Sequence, residues 1–207
     1  LENRHITLAY PELSGICQGD SIRLPHFYFE NIPEEIDQIG EYWIDRNNGL
    51  IYFLGGKDLS GLMLTSLETP MVVVKNTSNI TFEDLNFSYG RNHGIVINNS
   101  QEITVNRCQL SNFSKGGIDA SGKSIRVLNS QVRGVGAFGI RLKGGDLSSL
   151  EPADSEVVNC HIHDFGWEQK SQMAGVCIYG VGHRVAHNEI HDATHFGILI
   201  RKSNDVT

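Results

Sequence analysis

Long apolar runs are missing from this 207-residue chain, and no stretch approaches the ~20 residues that a membrane-spanning helix requires. Lysine and arginine runs are missing as well. With a net charge of −7 there is no basic footprint for a phosphate backbone, which argues against nucleic acid as a partner. The four cysteines (Cys17, Cys108, Cys160, Cys177) show neither CxxC spacing nor a pairing pattern. Proline is scarce, 5 residues against 22 glycines, and this balance reads as many short strands joined by tight turns. No signal peptide is visible. Both ends, Leu1 and Thr207, read as cut, and the natural protein is expected to continue past Thr207.

What is present is enough to fold. Hydrophobic residues make up 40% and charged residues 20%, so the chain can bury a core. A glycine followed by an aliphatic strand then recurs. Strands starting at Val72, Ile95, Ile118, Ile140, Val176 and Ile198 are spaced 23, 23, 22, 36 and 22 residues apart, and Gly94, Gly117, Gly139, Gly175 and Gly197 each precede one. A fixed period of this size means stacked supersecondary units. The runs are short and β-branched, which argues against helical repeats, and Leu-x-x-Leu-x-Leu is absent.

The expected fold is therefore all-β: a right-handed parallel β-helix, a solenoid of 22–23 residues per coil over residues 71–207, truncated at its C-terminus. A second run in each coil gives three inward columns. They are Phe82/Val105/Val127/Val157/Val185, Leu85/Cys108/Ser130/Cys160/Asn188 and Phe87/Leu110/Val132/Ile162/Ile190. Cys108 and Cys160 fall two coils apart in one column, roughly 9–10 Å at ~4.8 Å per coil, too far for a disulfide. The long coil carries its extra residues at Gly144–Asp154 and Gly166–Ala174, as loops.

Residues 1–70 differ and are expected to form a β-rich module capping the helix. Within it, residues 41–53 place two alternating runs around Asn47-Asn48-Gly49, a hairpin signature. Asn31 and Pro33 suggest a short helix with Asn31 as its cap.

Alternation sends the residues flanking the inward columns outward. Two adjacent coils then present His161, His163, His187, Glu189 and His191, with Asp164 and Asp192 one position further on and His195 in the turn. Five of the nine histidines thus share one face with three carboxylates. Such a face suits acid/base chemistry: carboxylates on neighbouring coils start ~5 Å apart and can splay, so retaining and inverting glycosidase separations are both reachable. Imidazole adds proton transfer near neutral pH. A solvated polar face is the plain alternative. A zinc site at His161, His163, Glu189 and His191 has suitable ligand types but no recognised spacing, so no cofactor is expected. Trp167 roots the second loop, and its indole suits either stacking on a sugar ring or anchoring the loop. Arg133, Arg141 and Arg201 are the cations around this face, as contacts for a carboxylate or sulfate or simply as solvated groups.

Two stretches carry a resemblance to a known group. The segment from Phe27 through Asn31-Ile32-Pro33-Glu34-Glu35-Ile36-Asp37 to Tyr42-Trp43-Ile44-Asp45, closing on Gly49-Leu50-Ile51-Tyr52-Phe53, resembles the lead-in module of secreted bacterial β-helix proteins. Asn159-Cys160-His161-Ile162-His163-Asp164 and Asn188-Glu189-Ile190-His191-Asp192, followed by His195, resemble the coils of the same carbohydrate-active group, similar to glycoside hydrolase families 120 and 141. The resemblance implies a secreted, periplasmic or cell-surface glycosidase acting on a polysaccharide or oligosaccharide. Its active face would hold Asp164, Glu189, Asp192 and His195. The acid and the nucleophile or base would come from the three carboxylates, tuned by His163 and His195, with His161, His191, Trp167 and the three arginines toward substrate. A polysaccharide lyase or uronate epimerase is the second reading, and a non-catalytic glycan-binding β-helix the third. Nothing in the sequence sets the oligomeric state.

Overall fold

The alternating runs around Asn47-Asn48-Gly49 pair with each other. In the computed structural model, which describes residues 29–56 and 59–207, β1 (Tyr42–Asp45) and β2 (Leu50–Phe53) run antiparallel with Tyr42 opposite Phe53 and Asp45 opposite Leu50. The Asp45 carboxylate holds the turn by accepting from the backbone N–H groups of Asn47 and Asn48 and from the Asn48 side chain at 2.7 Å. Trp43 and Tyr52 stack across the pair, 5.1 Å between ring centroids. A single 3₁₀ turn, Pro33–Glu35, precedes the hairpin. Asn31 is not its cap. Ile32 occupies that position without a side-chain bond, while the Asn31 amide bonds both N–H (2.8 Å) and C=O (3.1 Å) of Ile44. The edge of β1 offers an otherwise unpaired peptide group, and the side-chain amide completes it as a neighbouring strand would. Cys17 and the rest of residues 1–28 of the expected capping module lie outside the described residues, as do 57 and 58. The chain divides into two compact units, Leu1–Leu62 and Met63–Thr207.

In the second unit every pairing between strands is parallel and joins one repeat to the next. Its strands are β3 (Val72–Lys75), β4 (Ser78–Glu83), β5 (Asn86–Gly90), β6 (Ile95–Asn106), β7 (Gln109–Phe113), β8 (Ile118–Leu128) and β9 (Gln131–Val135). They continue as β10 (Ile140–Gly144), β11 (Ser155–Val158), β12 (His161–Phe165), β13 (Ala174–Ala186), β14 (Glu189–Ala193) and β15 (Phe196–Val206). One sheet collects the first and second runs of each coil; the other, five-stranded, is β5-β7-β9-β12-β14. The expected register holds. Val72, Ile95, Ile118, Ile140, Val176 and Ile198 stand in one column, and Phe87, Leu110, Val132, Ile162 and Ile190 in another. Between them lies the core, with Ile95, Leu110, Ile118, Val132, Ile140 and Ile162 fully buried. Leu85 is the exception in its column. It belongs to the first coil, stacks on a following coil only, and stays exposed.

Polar members of the inward columns survive because each completes a backbone bond. Ser130 Oγ accepts from Cys108 N–H and donates to the Leu128 carbonyl. Asn188 accepts from Cys160 N–H and donates to the Val157 carbonyl. Cys108, Cys160 and Cys177 are buried free thiols, and burial pushes Cys160 and Cys177 up to about 11, which keeps them unreactive.

Two kinds of corner shape the coil. Asp84, Arg107, Asn129, Asn159 and His187 all adopt left-handed backbone between the second and third runs, the conformation that Asn and Asp tolerate best. At the other corner a glycine file, Gly122, Gly144 and Gly180, lets adjacent coils close up: a Cβ on Gly122 would overlap the Ser100 carbonyl, and one on Gly180 that of Gly144. The recurring glycines before each first strand act differently. Gly117 and Gly139 have negative φ, and their missing side chains make room for Val132 and Ile162 across the core.

One buried histidine, His183, and one half-buried, His93, make the fold sensitive to acid. His183 donates from Nε2 to the Tyr179 carbonyl (3.0 Å), and His93 Nδ1 accepts from Gly116 N–H (2.9 Å). Burial lowers both pKa values below the ordinary 6.5, so each ring stays neutral when folded but takes up a proton more readily when unfolded. Their contribution is complete above pH 6.5 and is lost as pH falls below it toward the folded values. Urea unfolding should show lower stability at pH 5.5 than at pH 7.5, and a His183→Asn chain should lose part of that difference. Equal stabilities at the two pH values would contradict this account.

Candidate active face

The third run of each coil alternates in and out until its fourth residue. Tyr89, Asn112, Gly134, Asp164 and Asp192 form a second left-handed file, with φ between 49° and 66°. In a plain strand, neighbours i and i+1 point to opposite faces. The left-handed kink turns Asp164 to the same side as His163 and lets Phe165 return to the core, and Asp164 accordingly has no partner in the β12–β14 register. Each His-Asp dipeptide thereby becomes a dyad. His163 Nδ1 lies 2.8 Å from an Asp164 oxygen, and His191 Nδ1 lies 2.8 Å from an Asp192 oxygen. An ionised carboxylate only accepts, so in both rings Nδ1 carries the donated hydrogen, and in the neutral ring Nε2 then keeps its lone pair.

Parallel register stacks the two dyads. His163 pairs with His191 and their rings lie 5.0 Å apart at an interplanar angle of 11°. His161, in register with Glu189, fills the neighbouring row, with its ring centroid 4.3 Å from that of His163 and its Nε2 2.7 Å from His191 Nε2. Gln131 on the preceding coil donates toward His161 Nδ1 (3.3 Å) and His163 Nε2 (3.0 Å), which fixes both rings. Gln131 is the member of this site that sequence reasoning missed; its place in the His161–Glu189 column was the available signal. His163 is half-buried, whereas Asp164 and Asp192 are 61% and 67% exposed and so open to a ligand. Glu189 stands at the edge of the cluster, 3.9 Å from His191 Nε2. Arg133 shares the row of His163 and has no ion-pair partner among the described residues.

Other predicted contacts lie apart from this cluster. Arg141 belongs to the other sheet, where Asp119 holds it (Nε–Oδ1 2.9 Å) and its guanidinium covers the Phe138 ring at 4.0 Å. The sequence offered it as a ligand contact or a solvated group; the half-buried carboxylate of the preceding coil pairs with it instead, together with Lys143. Burial alone would raise Asp119, but the hydrogen bond and charge of Arg141, then Lys143, outweigh it and hold the carboxyl below its usual range. That stabilisation is present above pH 4 and is lost as pH falls through the carboxylate range. Asp119→Asn should cost about 1–3 kcal/mol at pH 7, read from the urea midpoint.

His195 also differs from expectation. Its Nδ1 accepts from Gln172 N–H (2.8 Å) and its ring stacks on Phe196, so it anchors the 166–173 loop, and among the described residues it makes no bond to a carboxylate. Arg201 bonds the Gln172 side chain at 2.9 Å in the same place. Trp167 is exposed on that loop.

Comparison with protein families places part of the chain in a class. Residues 70–153 match the family model of the right handed beta helix region, in accord with the parallel register and the repeat. No curated protein and no solved structure matches the chain. No helix among the described residues is long and apolar enough to cross a membrane.

Proposed function

We propose that this β-helix is a glycoside hydrolase that processes a polysaccharide on the His/Asp face. The observation that carries the reading is the pair of stacked His-Asp dyads. Asp164 and Asp192 occupy one file on adjacent coils, hence ~4.8 Å apart at the backbone, near the separation that suits a retaining pair. Each accepts a hydrogen bond from its own histidine and remains exposed to substrate. One would protonate the leaving oxygen while the other attacks the anomeric carbon, with Glu189 the third carboxylate at the edge. The exposed Trp167 offers a stacking surface for a sugar ring.

One feature favours a second reading. A histidine held at Nδ1 by a carboxylate presents a basic Nε2, and Arg133 beside His163 could neutralise a uronate. That combination is what a lyase or C5 epimerase needs. Incubation with a panel of neutral and uronate glycans separates the cases. A new reducing end without unsaturation supports the hydrolase, a product absorbing near ~235 nm supports the lyase (π-conjugated C=C–COO⁻), and binding without turnover would overturn both enzymatic readings.

A further inference from the structure

Three imidazoles of this face bring their ring nitrogens close together. One nitrogen from each of His161, His163 and His191 lies within 4.8 Å of the others. The nitrogens turned away are already assigned: Asp164 and Asp192 hold Nδ1 of His163 and His191, and Gln131 lies against Nδ1 of His161. We propose that His161, His163 and His191 bind a transition-metal ion of the zinc class through their Nε2 atoms, with Asp164, Asp192 and Gln131 as the outer partners that orient the rings.

The chemistry supports imidazole coordination. Two of the three rings turn Nδ1 to a carboxylate, the arrangement that leaves Nε2 to serve as a ligand once the Gln131 amide gives up its bond to His163 Nε2, and carboxylate–histidine–metal chains fix ligands in this manner. The Nε2 atoms of His161 and His191, 2.7 Å apart, are bridged by one proton. A metal takes the place of that proton. His161 then carries its hydrogen on Nδ1, where the Gln131 amide, turned over, accepts it through its oxygen. Tetrahedral Zn–N bonds of ~2.0–2.1 Å require nitrogens ~3.3 Å apart, so the His161–His191 pair opens by about half an ångström while His163 moves in. His191 is 42% exposed, and Asp164, 61% exposed, can follow the His163 ring as it slides. All three ligands are neutral nitrogens, which suits Zn²⁺, Cu²⁺ or Ni²⁺ and disfavours Ca²⁺. Glu189 lies outside the converging set, and three protein ligands leave a fourth position for water.

The site stands apart from the hydrolase reading, because metal binding is measured with no glycan present. Isothermal titration of the tag-free full chain with ZnCl₂ should give one ion per chain, and CoCl₂ should produce the visible d–d bands of a four-coordinate site. His161→Ala, His163→Ala and His191→Ala should each abolish binding. Because those variants disturb a packed stack, Asp164→Asn and Asp192→Asn provide the control: both side chains are exposed and asparagine keeps the left-handed backbone, yet metal affinity should fall roughly 10–100-fold. Absence of Zn²⁺ or Co²⁺ binding would overturn the proposal, as would binding that survives the three histidine substitutions. A chain that binds zinc without turning over glycans retracts only the hydrolase reading, and the converse result retracts only the metal site.

Discussion

Asp164→Asn and Asp192→Asn are each expected to lower kcat by about 10²–10⁴-fold, measured on whichever glycan the panel identifies, with little change in the urea midpoint. The substitution is nearly isosteric. Asparagine accepts the left-handed backbone at 52° and 49° as readily as aspartate, and its amide oxygen can still receive the Nδ1 proton of His163 or His191. The dyads therefore keep their geometry while the carboxylate loses its charge and its ability to shuttle a proton. Both side chains are largely exposed, so stability should change by no more than about 0.5 kcal/mol. Retention of full turnover by both variants would remove these residues from the chemistry. A loss shared equally with Glu189→Gln would shift the pair to include the edge carboxylate.

Gly122→Ala is expected to be among the most damaging single changes to the fold. Gly122 has φ of +145°, where an L-residue is strained, and its missing Cβ is where the Ser100 carbonyl of the preceding coil sits. Strain of ~1–3 kcal/mol and displacement of a packed backbone at ~1–3 kcal/mol together make a loss of about 2–5 kcal/mol. Gly180→Ala, whose Cβ would meet the Gly144 carbonyl, should behave alike, whereas alanine at exposed Gly56 should be neutral. The checks are thermal and urea unfolding of the three variants. A Gly122→Ala chain as stable as the parent would show that adjacent coils can separate at this corner without cost.

Much of this is legible in the sequence. Apolar columns such as Phe87/Leu110/Val132/Ile162/Ile190 could be aligned because parallel in-register stacking repeats the same environment every coil. The same alignment gathered His161, His163, Glu189 and His191 on one face, since alternation within a short strand is a local property. Other residues were misplaced where a contact crosses coils or leaves the strand. Arg141 reads as a free cation until Asp119, 22 residues earlier, is found beside it. His195 reads as a neighbour of the carboxylates until the 166–173 loop folds over it. Asn31 looks like a helix cap until the edge of β1 offers a better partner.

By itself, then, the pattern of apolar residues and glycines determined the repeat, its register and which side of each strand is wet, because these depend on distances of one or two residues along the chain and one coil across it. The fold decided what the wet face can do. The left-handed kink at Asp164 and Asp192 puts two consecutive side chains on one side and makes dyads of them, and stacking brings a nitrogen from each of three rings within 4.8 Å of the others. Both effects follow from backbone dihedrals and ring orientations, which alternation alone does not encode.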